Sequence, residues 1–197
     1  MTTEQIRQAK RALRGEYKKK RSEIPSCQRK ILDEKICKNI TDSVSFEYAD
    51  VVLVFYPTVQ EIDIRAVFDV ARKQGKRLAF PRCVSKGVMK FYFADNEESF
   101  ERSAYGILEP KEECEECVCD SFSHPLCLVP SLCVCPDGSR LGYGGGFYDR
   151  FLSSFDGISM CVQYEEFICD SIPFEKRYDK KVDAVVTEKA VYVVGKK

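Results

Sequence analysis

ADVVLVFYPTVQEIDIRAVFDVARKQGKRLAFPR, residues 49 to 82, is the stretch that decides the fold class. After Asp50 the run to Tyr56 is continuously apolar and rich in Val, which suits a strand buried on both faces of a parallel or mixed sheet, and Pro57 ends it. From Glu61 to Gln74, Ile62, Ala66, Val67, Val70 and Ala71 follow helical spacing, and Gly75 supplies the stop. Lys76 to Arg82 then reads as a second strand. Strand, helix and strand in this order are the signature of an α/β unit with a right-handed crossover.

The pattern extends in both directions. Downstream, strands are predicted over Val88 to Ala94, Leu126 to Val134 and Ile158 to Tyr164, a short helix over Phe147 to Phe155, and a final strand pair over Val182 to Thr187 and Ala190 to Val194. Upstream, residues 3 to 22 read as a helix with Ile6, Ala9, Leu13 and Tyr17 on one face and Thr3 near its start as a cap. Lys10 and Arg14 lie one turn apart on its flank. A second helix follows Pro25 and carries Ile31, Cys37 and Ile40 inward. The acidic stretch from Glu109 to Asp120 is the candidate mobile surface loop. With no internal repeat and no linker, residues 1 to 197 form one α/β domain in this reading.

Composition narrows the function classes. Lys plus Arg and Asp plus Glu number 31 each, so the whole molecule offers no field that attracts a nucleic-acid backbone. No stretch approaches the apolar length of a membrane span, and no apolar signal core follows Met1, so a cytoplasmic, reducing setting is expected. Eleven cysteines raise the question of a zinc site, with Cys114, Cys117, Cys119, Cys133 and Cys135 as candidate thiolates. Their spacing lacks two separated Cys-x-x-Cys pairs and favours small buried hydrophobes instead. His124 is the one histidine, which excludes a multi-histidine metal centre.

The chemistry concentrates in RLGYGGGFYDR, residues 140 to 150, between an apolar strand and a predicted helix. Gly142, Gly144, Gly145 and Gly146 can adopt backbone angles closed to other residues and present bare N–H groups, and the following helix turns its positive end toward the same spot. Those are the properties of a phosphate cradle. No Gly-Lys-Ser/Thr follows, and the dinucleotide fingerprint's third glycine is missing, so the two commonest nucleotide motifs are excluded. Arg140 adds a fork for phosphate oxygens, and Asp149 adds a hard oxygen ligand of the kind Mg²⁺ prefers. A glycine-rich loop that only turns the chain is the alternative.

At this point the residues resemble the 5-formyltetrahydrofolate cyclo-ligase family, also called 5,10-methenyltetrahydrofolate synthetase. The resemblance runs through KRALR at 10 to 14, FYPTVQEIDI at 55 to 64, GKRLAFPR at 75 to 82, YGILEP at 105 to 110, LVPSL at 128 to 132, RLGYGGGFYDRFL at 140 to 152 and VDAVVTE at 182 to 188. It implies ATP- and Mg²⁺-dependent cyclisation of 5-formyltetrahydrofolate, in which the formyl oxygen takes the terminal phosphoryl group, the neighbouring amine closes the ring, and ADP and phosphate leave. The fold expected is a single-domain, three-layer, Rossmann-like α/β sandwich with a largely parallel or mixed central sheet and N-terminal helices.

Residue by residue, the resemblance gives Lys10, Arg14 and the loop Arg140, Leu141, Gly142, Tyr143, Gly144, Gly145, Gly146, Phe147 and Tyr148 to the nucleotide. Arg140 and Asp149 are the implied catalytic groups, and Asp149 and Asp183 the implied magnesium ligands. Arg14, Tyr56 and Glu61 are the implied folate contacts. A small-molecule substrate is implied, with no nucleic-acid or membrane partner, and the chain is expected as a monomer or weak homo-oligomer. The sequence departs from the family's usual Gly and Phe-Asp at Ser131 and at Val134 and Cys135, with Asp137 as the nearby acid. The alternatives are a folate- or nucleotide-binding module without turnover, and another ATP-dependent small-molecule ligase or kinase.

Overall fold

The computed structural model describes residues 1–103 and 106–195; Tyr105 of the YGILEP motif lies outside the described residues. A seven-stranded sheet runs in the order β11-β10-β9-β6-β1-β2-β3. Its strands are β1 (Val51–Leu53), β2 (Arg77–Ser85), β3 (Val88–Phe93), β6 (Pro125–Pro130), β9 (Ile158–Val162), β10 (Ala184–Val186) and β11 (Val191–Val193). β2, β1, β6, β9 and β10 are mutually parallel, and the edge strands β3 and β11 are antiparallel to their neighbours. The parallel strands are short and apolar: every residue of β1, β6 and β10 is buried, as both-face coverage requires.

Two cores flank the sheet. Val52, Val54, Leu78, Phe80, Leu128, Met160 and Val162 share one core with side chains of α1 (Thr3–Glu23), α2 (Ser26–Thr41), α3 (Val44–Glu47) and α4 (Arg65–Lys73). Val51, Leu53, Ala79, Phe91, Val129 and Cys161 share the other with Phe151 and Leu152 of α5 (Phe147–Leu152). Helices, sheet, and α5 with its neighbouring loops make the three layers expected. α1 opens with a capping box in which Thr2 and Gln5 bond each other's backbone N–H, so the cap is Thr2 and not Thr3. On α2, Cys37 and Ile40 face inward, but Ile31 is 56% exposed.

Several boundaries differ from the sequence reading for physical reasons. α4 begins at Arg65 because residues 58–61 close a turn of their own: the Glu61 N–H donates to the Thr58 carbonyl at 3.0 Å, and the Thr58 N–H donates to Glu61 Oε2 at 2.9 Å. The run Leu126 to Val134 is not one strand. The chain turns at Ser131 and enters a two-stranded hairpin, β7 (Cys133–Val134) with β8 (Arg140–Leu141). A second small ribbon, β4 (Phe100–Arg102) with β5 (Leu108–Pro110), has no clear periodicity in the sequence. The acidic stretch is held: the Cys117 N–H donates to Phe91 O at 2.8 Å and the Phe93 N–H to Glu115 O at 2.9 Å. Glu115 pairs with Arg77 and Glu116 with Lys90. Its acids answer the cations of β2 and β3. Among the described residues, no helix is long and apolar enough to cross a membrane.

Candidate active site

The parallel strands have the order 2-1-3-4-5 in chain sequence, so the winding reverses between β1 and β6. Open α/β sheets leave a crevice at such a point, outside the carboxyl ends of the strands. Here a cleft of about 960 Å³ lies among the segments that follow β1 and β6, together with α1. Lys10, Arg14, Tyr56, Glu61 and every residue from Arg140 to Asp149 line it.

The glycine-rich segment gets its shape from both ends. β8 delivers Arg140 and Leu141, and Gly146 at φ 67° turns the chain into α5. Gly144 sits at φ 109°, an angle that side-chain-bearing residues rarely adopt, and a Cβ there would approach the Arg14 guanidinium to 3.4 Å. The Arg14 Nε–H donates to Gly142 O at 2.9 Å, and Arg150 Nη2 donates to Gly145 O at 2.6 Å. α5 stops at Leu152 after six residues, short of the predicted Phe155. Its macrodipole is therefore small, and the positive character of the cleft comes chiefly from the side chains of Lys10, Arg14 and Arg140 that line it.

Two carboxylates are set among those cations. Asp149 Oδ1 accepts from Arg140 Nη2 at 3.1 Å and from the Lys180 N–H at 3.1 Å. Asp179 accepts from Lys10 Nζ at 2.6 Å and from the Glu175 N–H at 2.6 Å. Burial lowers the Arg14 pKa, and the fields of Asp179 and Asp149 oppose the shift. The side chain of Arg140 is only 2% exposed, and its Nε–H and the Tyr148 hydroxyl are buried with no hydrogen-bond partner among the described residues. Buried donors are ordinarily satisfied, so these two mark where ligand oxygens would fit.

The remaining lining is apolar and aromatic. Tyr56 packs against Phe68, Phe80 and Phe100, with ring centroids 6.4, 6.4 and 5.4 Å away. Glu61 stands in the same cleft, and burial raises its pKa while the hydrogen bond from Thr58 opposes the shift. A flat ring with polar edges has a stacking wall and a hydrogen-bond acceptor there.

Asp183 is not brought to the cleft. It precedes β10, at the opposite end of the parallel strands, and its Oδ2 accepts from the Ser159 hydroxyl at 2.7 Å and the Ser159 N–H at 3.0 Å. That geometry locks β10 to β9 and leaves the implied magnesium role without a place beside Asp149. Asp137 does not stand in for the family's acid at the glycine loop either. Its carboxylate accepts from the Ser139 N–H at 2.9 Å and pairs with Lys181, closing the β7–β8 turn.

Support for the loop comes from residues that sequence reasoning missed. Arg21 on α1 is 3% exposed and reaches under the cleft. Its Nη2 donates to Ser131 O at 3.0 Å and to Gln163 Oε1 at 2.6 Å, and its Nη1 to the Tyr143 hydroxyl at 3.2 Å and Gln60 O at 3.3 Å. Gln163 Nε2 returns to the Ser131 hydroxyl at 2.9 Å. One buried guanidinium thus ties the loop after β1, the turn after β6, the end of β9 and the glycine-rich segment together. Its one available signal, position four after Tyr17 on the inward face, was lost among the neighbouring lysines and arginines.

A doubly wound α/β sheet with a cation-lined, glycine-rich cleft at its switch point is the architecture of a small-molecule-binding α/β protein. The 5-formyltetrahydrofolate cyclo-ligase family model matches residues 6–188, and the chain belongs to that family. The probable 5-formyltetrahydrofolate cyclo-ligase of Schizosaccharomyces pombe is 29% identical over 171 residues, covering 79% of this chain and 83% of that protein. The 5-formyltetrahydrofolate cyclo-ligase of Mus musculus is 23% identical over 194 residues, covering 93% and 95%. The structure of 5,10-methenyltetrahydrofolate synthetase from Aquifex aeolicus superposes with a TM-score of 0.82 at 28% identity, over 95% of this chain and 94% of the other. The synthetase from Mycoplasma pneumoniae shares the fold, with a TM-score of 0.72 at 19% identity over 91% and 98%.

Proposed function

We propose that the chain is a cytoplasmic, single-domain enzyme that closes 5-formyltetrahydrofolate to 5,10-methenyltetrahydrofolate with ATP and Mg²⁺, releasing ADP and phosphate. The observation that carries this reading is the convergence in one cleft of Lys10, Arg14, Arg140 and the glycine-rich N–H groups with Tyr56 and Glu61. ATP would supply the phosphoryl group that turns the formyl oxygen into a leaving group, and Mg²⁺ would offset charge on the phosphate oxygens. Among the described residues no three His, Cys, Asp or Glu side chains cluster to hold a metal unaided. Asp149 fits as a single protein ligand, the remainder of the shell being phosphate and water, as is usual for Mg²⁺.

The side chains then have separate tasks. Arg140, fixed by Asp149, and the loop N–H groups present donors to developing negative charge without reorganising. Lys10 and Arg14 hold phosphate oxygens, and Arg14 braces the loop through Gly142. Glu61 accepts from the amino edge of the pterin while the Tyr56 ring packs on its face. No side-chain nucleophile is needed, because the folate's own amine attacks.

Phosphate release measured alongside folate consumption tests the reading. Equal release and consumption, absent with other formylated or carboxylated acceptors, is expected. Nucleotide and folate binding without phosphate release would indicate a binding module, and release driven by a different acceptor another ligase or kinase.

A further inference from the structure

Eleven cysteines are far more than the proposed reaction uses, and all are reduced in the structure. Some are accounted for by packing: Cys37, Cys127 and Cys161 are buried among apolar side chains. Cys135 and Cys169 differ. Their sulfurs lie 3.6 Å apart although the residues are 34 positions apart in the chain. The backbones that carry them are already joined, since the Cys169 N–H donates to Val134 O at 2.9 Å and Val134 bridges Ile168. A crevice of about 160 Å³, separate from the active-site cleft, is lined by Cys135, Asp137, Asp170, Ser171 and Lys181, and Cys169 is itself only half-buried.

We propose that Cys135 and Cys169 form a peroxide-oxidisable dithiol, with Cys169 as the attacking sulfur and Cys135 as the resolving one. The Cys169 thiolate attacks one peroxide oxygen, the O–O bond breaks, and a sulfenic acid and hydroxide result. The Cys135 sulfur then attacks the sulfenic sulfur and expels its oxygen, so that two thiols and one hydrogen peroxide become one disulfide and two waters. The assignment of roles follows exposure and hydrogen bonding. Neighbouring Cys133, Cys135 and Tyr17 lower the Cys169 pKa against the opposing effects of burial and Asp170, whereas burial raises that of Cys135. The bond would staple the β7–β8 hairpin, which delivers Arg140, to the segment after β9.

The test is peptide mapping of the reduced, full-length protein after one equivalent of hydrogen peroxide, under non-reducing conditions. A Cys135–Cys169 linked peptide that dithiothreitol reverses is expected. In Cys135→Ser, Cys169 should instead accumulate as a sulfenic acid captured by dimedone, and Cys169→Ser should yield neither product. In the untreated wild-type protein, Cys169 should alkylate about tenfold faster than the exposed Cys27. A linkage of Cys169 to Cys133, a linkage within Cys117 and Cys119, or alkylation of Cys169 no faster than Cys27 would overturn the proposal. The wild-type mapping decides the matter even where a serine variant folds poorly.

Discussion

Replacing Arg21 with Met removes a side chain that joins the segments beneath the cleft while keeping much of its apolar stem. Two of its four hydrogen bonds are short, to Ser131 O at 3.0 Å and Gln163 Oε1 at 2.6 Å, and two are long, to the Tyr143 hydroxyl at 3.2 Å and Gln60 O at 3.3 Å. A charged hydrogen bond is worth about 1.5–3 kcal/mol, so the two short ones set a gross loss of about 3–6 kcal/mol. Part is recovered. Gln163 Nε2 still reaches Ser131 O at 3.0 Å, and the Tyr164 N–H still reaches Gln163 Oε1 at 2.9 Å, so neither acceptor is orphaned. Among the described residues no carboxylate forms an ion pair with Arg21, so Met also removes the cost of a buried unpaired cation. The net is a destabilisation of about 2–3 kcal/mol, which for a chain of this size lowers Tm by about 5–10 °C. Because Tyr143 belongs to the glycine-rich segment, kcat should also fall by roughly tenfold. Thermal unfolding and steady-state turnover measure both, with Arg21→Lys as the control that keeps charge but cannot fork. Unchanged Tm and kcat in Arg21→Met would refute the bracing role.

Asp149→Asn keeps the side-chain shape and its Oδ1 acceptor but removes the charge, so activity at limiting Mg²⁺ should fall far more than Tm; an unaltered Mg²⁺ dependence removes Asp149 from the metal site. Gly144→Ala forces a side-chain-bearing residue to φ 109° at a cost of about 1–3 kcal/mol, which should raise the KM for ATP with little change in the KM for folate. Burial raises the Glu61 pKa, so the folded state binds that proton more tightly than the unfolded chain and stability falls as pH rises toward the raised value. Glu61→Gln should therefore raise Tm at neutral pH while weakening folate binding, with the Tm gap closing below about pH 4, where both states are protonated. A lower Tm for Glu61→Gln at neutral pH contradicts that environment for Glu61.

The parts of the fold that were legible in the sequence are those in which one segment carries its own signal. The Val-rich run at 51–54 and the spacing of Val67 and Ala71 report burial on the sheet and on α4 directly, whereas Ala66 of the same spacing is exposed and the buried Phe68 was not picked out. The glycine-rich segment announced itself because positive φ and exposed N–H groups require glycine. What was missed depends on partners distant in the chain. Arg21 looks like one more solvated cation until Ser131 and Gln163 are brought beneath it, and Asp179 sits in a segment with no periodicity. The resemblance named Glu61 as a folate contact, but the predicted helix opened there, whereas the local turn in which Thr58 captures its carboxylate delays α4 to Arg65. Asp183 failed in the opposite way: a motif match placed it near a metal, and strand direction puts it at the far end of the sheet.

The most direct measurement is the absorbance of the methenyl product during incubation of the purified chain with 5-formyltetrahydrofolate and Mg-ATP. A rise that requires all three components and is lost in Arg140→Met is expected. A folded preparation that binds ATP yet produces no methenyl absorbance would contradict it.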